Sequence, residues 1–141
     1  MIVIYGIKEC LNPIKLQLSN VLQQCLNSEM GLPDDKRAHR FVPLERDDFF
    51  YPEGRTDAYT VIEINMMEGR AVNTKKRLIK KIFSEIEKQL SISPIDIEIT
   101  INWFLGRSLN SNSFVELSAF CLFRSLTNPH YSLSNIDANS R

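Results

Sequence analysis

Residues 54–101 constrain the fold more than any other stretch, because a strand pattern, a helix pattern and a second strand pattern follow one another there. Residues 60–67 (TVIEINMM) are rich in β-branched and apolar side chains and lie between turn signals, which predicts a strand. In residues 95–101, isoleucine alternates with polar residues. This period of two is typical of a strand with one buried face.

The segment between these strands has the period of a helix. From about Asn73, apolar residues recur at spacings of three and four and predict one buried face: Leu78, Ile79, Ile82, Phe83, Ile86 and Leu90. Lysines, an arginine and glutamates fill the opposite face. A strand, a crossover helix and a strand of this length predict a right-handed βαβ unit with parallel strands.

The first part of the chain repeats this layout. Residues 1–7 (MIVIYGI) predict a buried strand, and residues 39–44 (HRFVPL) predict a second one. Between them, Asn12-Pro13 predicts the start of a helix, and Gly31 predicts its C-terminal cap.

Two βαβ units joined by a loop-rich linker (residues 45–57) predict an α+β fold. We expect one four-stranded sheet with both helices on one face. Ile, Val and Met dominate these strands, so we expect the uncovered face to be apolar and buried against copies of the same chain. The pattern therefore also predicts a symmetric oligomer.

Composition excludes several classes of protein. The chain has 17 basic and 17 acidic residues, whereas nucleic-acid binders usually carry a basic excess. No apolar run is long enough to span a membrane, and the N-terminus has no signal-peptide pattern. The three cysteines are far apart and fit neither a disulfide framework nor a metal motif, so we expect a cytoplasmic protein.

The character of the chain changes after residue 101. Residues 108–113 form a polar linker, residues 114–123 are apolar enough for a short helix or strand, and we expect residues 127–141 to be frayed. We therefore divide the chain into a main domain, residues 1–107, and a partly ordered C-terminal extension, residues 108–141.

Several short motifs carry a resemblance to a known family. They are GLPDDKR (residues 31–37), GRTD (54–57), EGR with Lys75 (68–70), SPIDI (93–97) and NWFLGR (102–107). Their order and spacing resemble the tautomerase superfamily, in particular the branch of malonate semialdehyde decarboxylase. The resemblance implies a homotrimer of β-α-β-β-α-β subunits that needs no cofactor. It also implies an active site at a subunit interface, where an N-terminal proline moves protons and arginines hold a small carboxylate substrate.

The sequence departs from this family pattern where the chemistry would lie. The proline position is Ile2, and methionine is not normally removed before so bulky a residue. We therefore expect Met1 to supply a primary amine, whose unperturbed pKa is about 7.7 to 8.0 and which can still move protons. The family's aspartate position is Lys36, and of two turn arginines the first is Glu68 and only Arg70 remains.

These positions give the candidate site. Met1 and Ile2 occupy the catalytic position, and Arg70, before a predicted helix N-terminus, is the main candidate for holding a carboxylate. Lys36, Arg37 and Trp103 are further candidates for substrate binding. The alternatives are a solvated surface for Lys36 and Arg37, and a packing or interface role for Trp103.

The remaining side chains suggest no metal or cofactor. His39 and His130 have no ligand spacing between them, and no phosphate-binding or hydrolase motif occurs in the sequence.

Three functional hypotheses remain open. The first is a tautomerase-like isomerase or lyase acting on a small oxo or unsaturated carboxylate by tautomerisation, decarboxylation or hydration. The second is a non-catalytic trimeric relative that has lost the proline-based site. The third is a ferredoxin-like regulatory or nucleic-acid module, which the zero net charge disfavours.

Overall fold

The computed structural model describes residues 1–104 and 119–123. The five strands are β1 (Ile2–Ile7), β2 (His39–Leu44), β3 (Thr60–Met67), β4 (Ile97–Phe104) and β5 (Ala119–Phe123). The three α-helices are α1 (Lys8–Leu11), α2 (Lys15–Met30) and α3 (Val72–Leu90). Short 3₁₀ turns lie at Asn12–Ile14, Asp34–Lys36, Arg46–Asp48 and Pro94–Asp96.

The strands form one mixed sheet in the order β2-β1-β3-β4-β5. β1 is parallel to β2 and β3 is parallel to β4, so each βαβ unit forms as predicted. β1 and β3 pair antiparallel and join the two units into the predicted four-stranded core. A fifth strand, β5, adds antiparallel to β4, and it lies within residues 114–123, for which the sequence predicts a short helix or strand. The rest of the predicted extension 108–141, with His130, lies outside the described residues.

The first helical segment begins earlier than the sequence predicts. Helix α1 starts at Lys8, directly after β1, and Asn12 continues the helical backbone instead of capping it. Pro13 has no N–H for an α-helical hydrogen bond, and the chain tightens to a 3₁₀ turn there before α2 begins. The end of α2 is confirmed, because Gly31 has the left-handed φ of 64° and its N–H bonds to Asn27.

One face of the sheet packs against α2 and α3 to form the core. The strand isoleucines that share this face are almost completely buried: Ile2, Ile4, Ile62, Ile64, Ile97, Ile99 and Ile101. The helices contribute apolar side chains that are buried in the same cluster: Leu18, Leu22, Leu78, Ile82 and Ile86. The apolar side chains that recur every two residues in the strands and about every 3.6 residues in the helices therefore pack into one apolar layer.

The other face of the sheet is mixed, not dominated by apolar residues as expected. Glu63 accepts a hydrogen bond from the Tyr5 hydroxyl at 3.1 Å, and Glu98 accepts one from the Tyr59 hydroxyl. Two further polar residues lie side by side near the end of this face, where Asn102 Nδ2 donates to Asn65 Oδ1 at 3.1 Å. The isoleucines of β3 and β4 all fall on the helix side because their even spacing places them on one face.

Among the described residues, no helix is both long enough and apolar enough to cross a lipid bilayer.

A buried carboxylate ties the linker before β3 to the turn before β4. Asp96, only 3% exposed, accepts hydrogen bonds from the Thr56 backbone N–H and hydroxyl, both at 2.7 Å.

Replacing Asp96 with alanine leaves two donors without this charged acceptor, and we expect Asp96→Ala to lower the free energy of unfolding by about 3 kcal/mol. Urea denaturation measures the change. The control is Asp35→Ala, an exposed aspartate expected to change stability by about 0.5 kcal/mol or less. Equal stability of the two variants would refute the role of Asp96.

A second polar contact joins β2 to α2. His39 Nδ1 lies 2.9 Å from the Ser19 hydroxyl, and the ring is partly buried between the strand and the helix. Burial lowers the pKa of His39 to about 4, with smaller effects from Arg37 and the Met1 amine. The folded chain thus holds this ring neutral, whereas the unfolded chain protonates it near its ordinary pKa.

This lowered pKa predicts a specific loss of stability in mild acid. The unfolded chain binds the extra proton below pH 6.5 and the folded chain only below about 4, so the contribution of His39 is complete above 6.5 and is lost as pH falls to 4. The drop between pH 7 and 4.5 should be about 1 to 2 kcal/mol smaller in His39→Gln, after allowance for solvent screening of a half-buried ring. Chemical denaturation of wild type and His39→Gln at both pH values measures it. An equal drop in wild type and His39→Gln would contradict the assignment.

Candidate functional site

The candidate site lies at the end of the sheet where β1 begins and β3 ends. The Met1 amine donates to the Asn65 carbonyl at 2.9 Å, and the Asn65 N–H donates back to the Met1 carbonyl at 2.8 Å. These two bonds extend the β1–β3 ladder by one residue and hold the amine against the sheet. Met1 is 47% exposed, so solvent reaches this residue.

The side chain of Ile2 does not lie in this site. It is 2% exposed and packs in the core beneath the helices, while its N–H donates to the Ala38 carbonyl at 2.8 Å. Alternation along β1 turns successive residues to opposite faces. Ile2 therefore anchors the strand start, and the candidate reactive group at this position is the Met1 amine.

Arg40 is a charged neighbour of the amine that the sequence interpretation missed. It lies on β2 directly opposite Val3, which is two residues from Met1 on the same face of β1. Arg40 is exposed and makes no hydrogen bond or ion pair within the described part of the chain. Partial burial, followed by the charge of Arg40, lowers the pKa of the Met1 amine below its usual 8.0. The signal in the sequence was a single arginine in an otherwise apolar strand stretch, RFVPL.

Arg37 and His39 extend this group at the start of β2. Arg37 Nη1 donates to Asn20 Oδ1 of α2 at 2.7 Å, which fixes one side of its guanidinium. Burial, followed by the positive charges of Arg37 and of the Met1 amine, lowers the pKa of the His39 ring. The Met1 amine and Arg40 beside Val3, with Arg37 and His39 against α2, thus lie at one corner of the sheet, and burial favours the neutral form of the imidazole.

Lys36 does not join this group through any described contact. Its ammonium lies 3.7 Å from the carboxylate of Asp35, and both side chains are largely exposed. Such a pair contributes little to stability and is typical of a solvated turn. Its predicted role in substrate binding stays a prediction.

Arg70 lies in the turn between β3 and α3, at the same end of the sheet. The turn is shaped by Gly69, whose φ of 112° suits only glycine well, and Ala71 precedes the first turn of α3. Arg70 is exposed and has no hydrogen-bond or ion-pair partner among the described residues. The structure thus leaves its guanidinium available for an anion but gives no contact between Arg70 and Met1.

Trp103 packs at the edge of the core near the end of β4. The Lys75 ammonium of α3 lies 3.6 Å from the centroid of its ring, a cation–π contact. Trp103 pairs with Met66 across the parallel β3–β4 ladder. The ring therefore holds a basic side chain of α3 beside the end of the sheet, and its predicted contact with substrate stays a prediction.

Two asparagines lie on the neighbouring strands β3 and β4, at the same end of the sheet as Met1. Asn65 and Asn102 are register partners on β3 and β4, and Asn102 Oδ1 is buried without a hydrogen-bond donor among the described residues. The sequence interpretation named Asn102 only as the first residue of the NWFLGR motif and did not single out Asn65, because nothing in a strand pattern marks an asparagine whose partner lies on another strand.

The arrangement favours anions and proton transfer. A partly exposed amine with a lowered pKa can lose its proton more readily than a free terminus, and Arg40 supplies a positive charge near it. Within residues 1–104, no cluster of three His, Cys, Asp or Glu side chains could hold a metal ion.

Comparisons with known proteins find relatives of this chain by sequence and by fold. The family model Tautomerase_2, described as a tautomerase enzyme, matches residues 36–103. "Probable tautomerase YusQ" of Bacillus subtilis is 27% identical over 90 residues, which cover 60% of this chain and 71% of the relative.

Solved structures share the fold. Malonate semialdehyde decarboxylase superposes with a TM-score of 0.66 at 13% identity, over 82% of this chain and 91% of that one. N1, of the cis-3-chloroacrylic acid dehalogenase family, gives a TM-score of 0.68 at 15% identity over 82% of each chain. A fused 4-OT described as an asymmetric trimer gives 0.64 at 18% identity, over 74% of this chain and 85% of that chain.

The match of residues 36–103 to the family model, the YusQ relative and the fold shared with these solved structures support the tautomerase superfamily as the family of this chain.

Proposed function

We propose that this protein catalyses cofactor-free proton transfer on a small oxo or unsaturated carboxylate. The Met1 amine acts as the base or acid, and arginines at the end of the sheet hold the substrate carboxylate. One observation carries the proposal: the amine is fixed by Asn65, remains partly exposed and has the charge of Arg40 near enough to lower its pKa.

The Arg40 guanidinium and the Met1 amine both favour proton transfer on a bound carboxylate. A carboxylate that binds a guanidinium places its neighbouring carbon near the amine, where a proton can be removed or added. Arg40 also favours the neutral amine before substrate arrives, which is the form that a base requires. Arg70 remains a second candidate for the carboxylate, supported by its position beside the first turn of α3.

We also infer that three copies assemble through the uncovered face of the sheet. The 4-OT structures that share this fold are described as trimers. The face carries half-buried Val3, Tyr5 and Val61 beside paired polar groups, which suits a contact between copies better than full exposure.

Cys10 and Cys25 are free thiols, and this supports the cytoplasm as the proposed compartment.

A second candidate function is a non-catalytic trimer. The observation that favours it is the burial of Ile2: the residue at the family's proline position is part of the core. If the amine then lies too far from any bound carboxylate, the chain keeps the fold without the reaction.

Ketonisation of phenylenolpyruvate tests the proposed reaction. We expect wild-type activity, and loss of a charge-assisted hydrogen bond in Arg40→Ala should lower kcat/KM by about 10- to 100-fold. Arg70→Ala tests the second arginine in the same assay. Lys80→Ala removes an exposed helix lysine and is expected to leave the rate unchanged.

A wild-type protein that is folded, begins with a free Met1 and is inactive would refute the enzyme proposal in favour of the non-catalytic trimer. Ile2→Pro then asks whether a pocket survives without its base, since removal of Met1 would expose a proline amine. Because the change also leaves a gap in the core, circular dichroism must first show a native fold.

Sedimentation equilibrium tests the assembly. We expect a mass three times that of the chain for wild type, and a monomer for Val61→Glu, because an unpaired carboxylate in a buried contact is strongly unfavourable. Lys80→Glu, a change of charge on the exposed side of α3, should remain trimeric. A trimeric Val61→Glu would show that this face does not form the contact.

A further inference from the structure

The terminal nitrogen of this chain differs chemically from a proline ring nitrogen. It is a primary amine, with two hydrogens in the neutral form. A primary amine can condense with a carbonyl to give an imine that is neutral or protonated. A ring nitrogen gives only a permanently charged iminium. Amines beside another cation are the ones that proteins use for this chemistry.

The placement of the amine suits such a reaction. One N–H is committed to the Asn65 carbonyl at 2.9 Å, which fixes the nitrogen while leaving its lone pair available after deprotonation. Met1 is 47% exposed, so a small carbonyl compound can approach it. No carboxylate pairs with the amine among the described residues, so none of these holds the proton in place.

Arg40 supplies the second half of the site. It lies on the neighbouring strand beside Val3, on the face of the sheet that Met1 shares, and has no partner in the described part of the chain. A guanidinium in this position can hold a carboxylate bidentately while the carbonyl carbon of the same molecule lies by the amine.

We propose that the Met1 amine forms a covalent imine with the carbonyl carbon of an oxo carboxylate whose carboxylate group is bound by Arg40. This rests on the site of the proposed function and deepens it, by naming oxo carboxylates as the substrate class and a covalent intermediate as the route.

The step balances without any other reactant. The lone pair of the neutral amine attacks the carbonyl carbon, an N–C bond forms, and one proton passes from the nitrogen to the oxygen to give a neutral carbinolamine. The second proton of the nitrogen then passes through solvent to the hydroxyl, the C–O bond breaks and water leaves, while the nitrogen lone pair forms the C=N bond. The C=N bond that remains withdraws electrons from the neighbouring carbon, so a proton there is lost more easily, and hydrolysis returns the free amine.

Borohydride trapping tests the proposal on the full chain. Pyruvate is the probe, and methyl pyruvate, which has the same carbonyl but no carboxylate, is the matched control. Intact mass first establishes a free Met1. Trapping should then add the mass of pyruvate less one oxygen atom, and digestion should place the adduct on the N-terminal peptide. An extended or blocked start, or adducts on lysines alone, would overturn the proposal.

Arg40→Ala separates carboxylate binding from the effect of Arg40 on the amine. At pH about 9 the amine is neutral in both proteins, and trapping of pyruvate should still be about 10-fold slower or more in the variant, with methyl pyruvate little changed. The pH at which trapping of methyl pyruvate is half-maximal should rise in Arg40→Ala, and Arg40→Lys should restore part of both effects. Equal pyruvate trapping by wild type and Arg40→Ala would refute the role of Arg40.

The same preparations distinguish this proposal from the proton-transfer function. Ketonisation activity without any N-terminal adduct would leave proton transfer standing and overturn the imine. An N-terminal adduct in a protein with no ketonisation activity would support the imine and overturn simple proton transfer as the reaction.

Discussion

The antiparallel pairing of β1 with β3 is the constraint on which the rest of the structure depends. Each βαβ unit closes only its own pair of strands, and the β1–β3 pairing joins the two pairs into one sheet. Its register places Ile2 opposite Ile64 and Ile4 opposite Ile62, so both units present their isoleucines to the helices together. A shift by one residue would turn those side chains to the other face. The same register brings Met1 to Asn65, so core packing and the position of the amine have a common cause.

The sequence predicted the elements well because their hydrophobic periods are strong. The apolar stripe of α3 is confirmed as its buried face. In β4, Ile97, Ile99 and Ile101 are buried as predicted. Ile95 instead lies exposed in the 3₁₀ turn before the strand, and Thr100 is buried although it alternates with the isoleucines. Asn12-Pro13 misled the prediction, because proline is as compatible with a 3₁₀ interruption inside a helical segment as with a helix start. The second face of the sheet was judged by composition, which cannot tell which face each residue takes.

The candidate site was harder to predict, and the reason is physical. Arg70 was found from a turn motif, since such motifs are local in sequence. Arg40 and Asn65 become neighbours of Met1 only through pairing of β1 with both β2 and β3, and no local pattern reports this. The zero net charge of the whole chain also concealed how unevenly charge is distributed. Arg40 and the Met1 amine lie at one corner of the sheet, while Glu63 and Glu98 lie elsewhere on the face that Arg40 shares.

The edge position of β2 has a consequence for how copies of this chain can meet. Its neighbour on one side is β1, and on the other side the described sheet ends. An open strand edge invites a strand from another molecule, and indefinite stacking of sheets is the hazard. β2 contains Pro43, which removes one backbone donor, and Arg40, whose charge opposes the approach of another basic edge. Edge-to-edge growth is therefore discouraged along β2, and contacts through the broad face of the sheet, which can close into a finite assembly, are left as the more favourable way to associate.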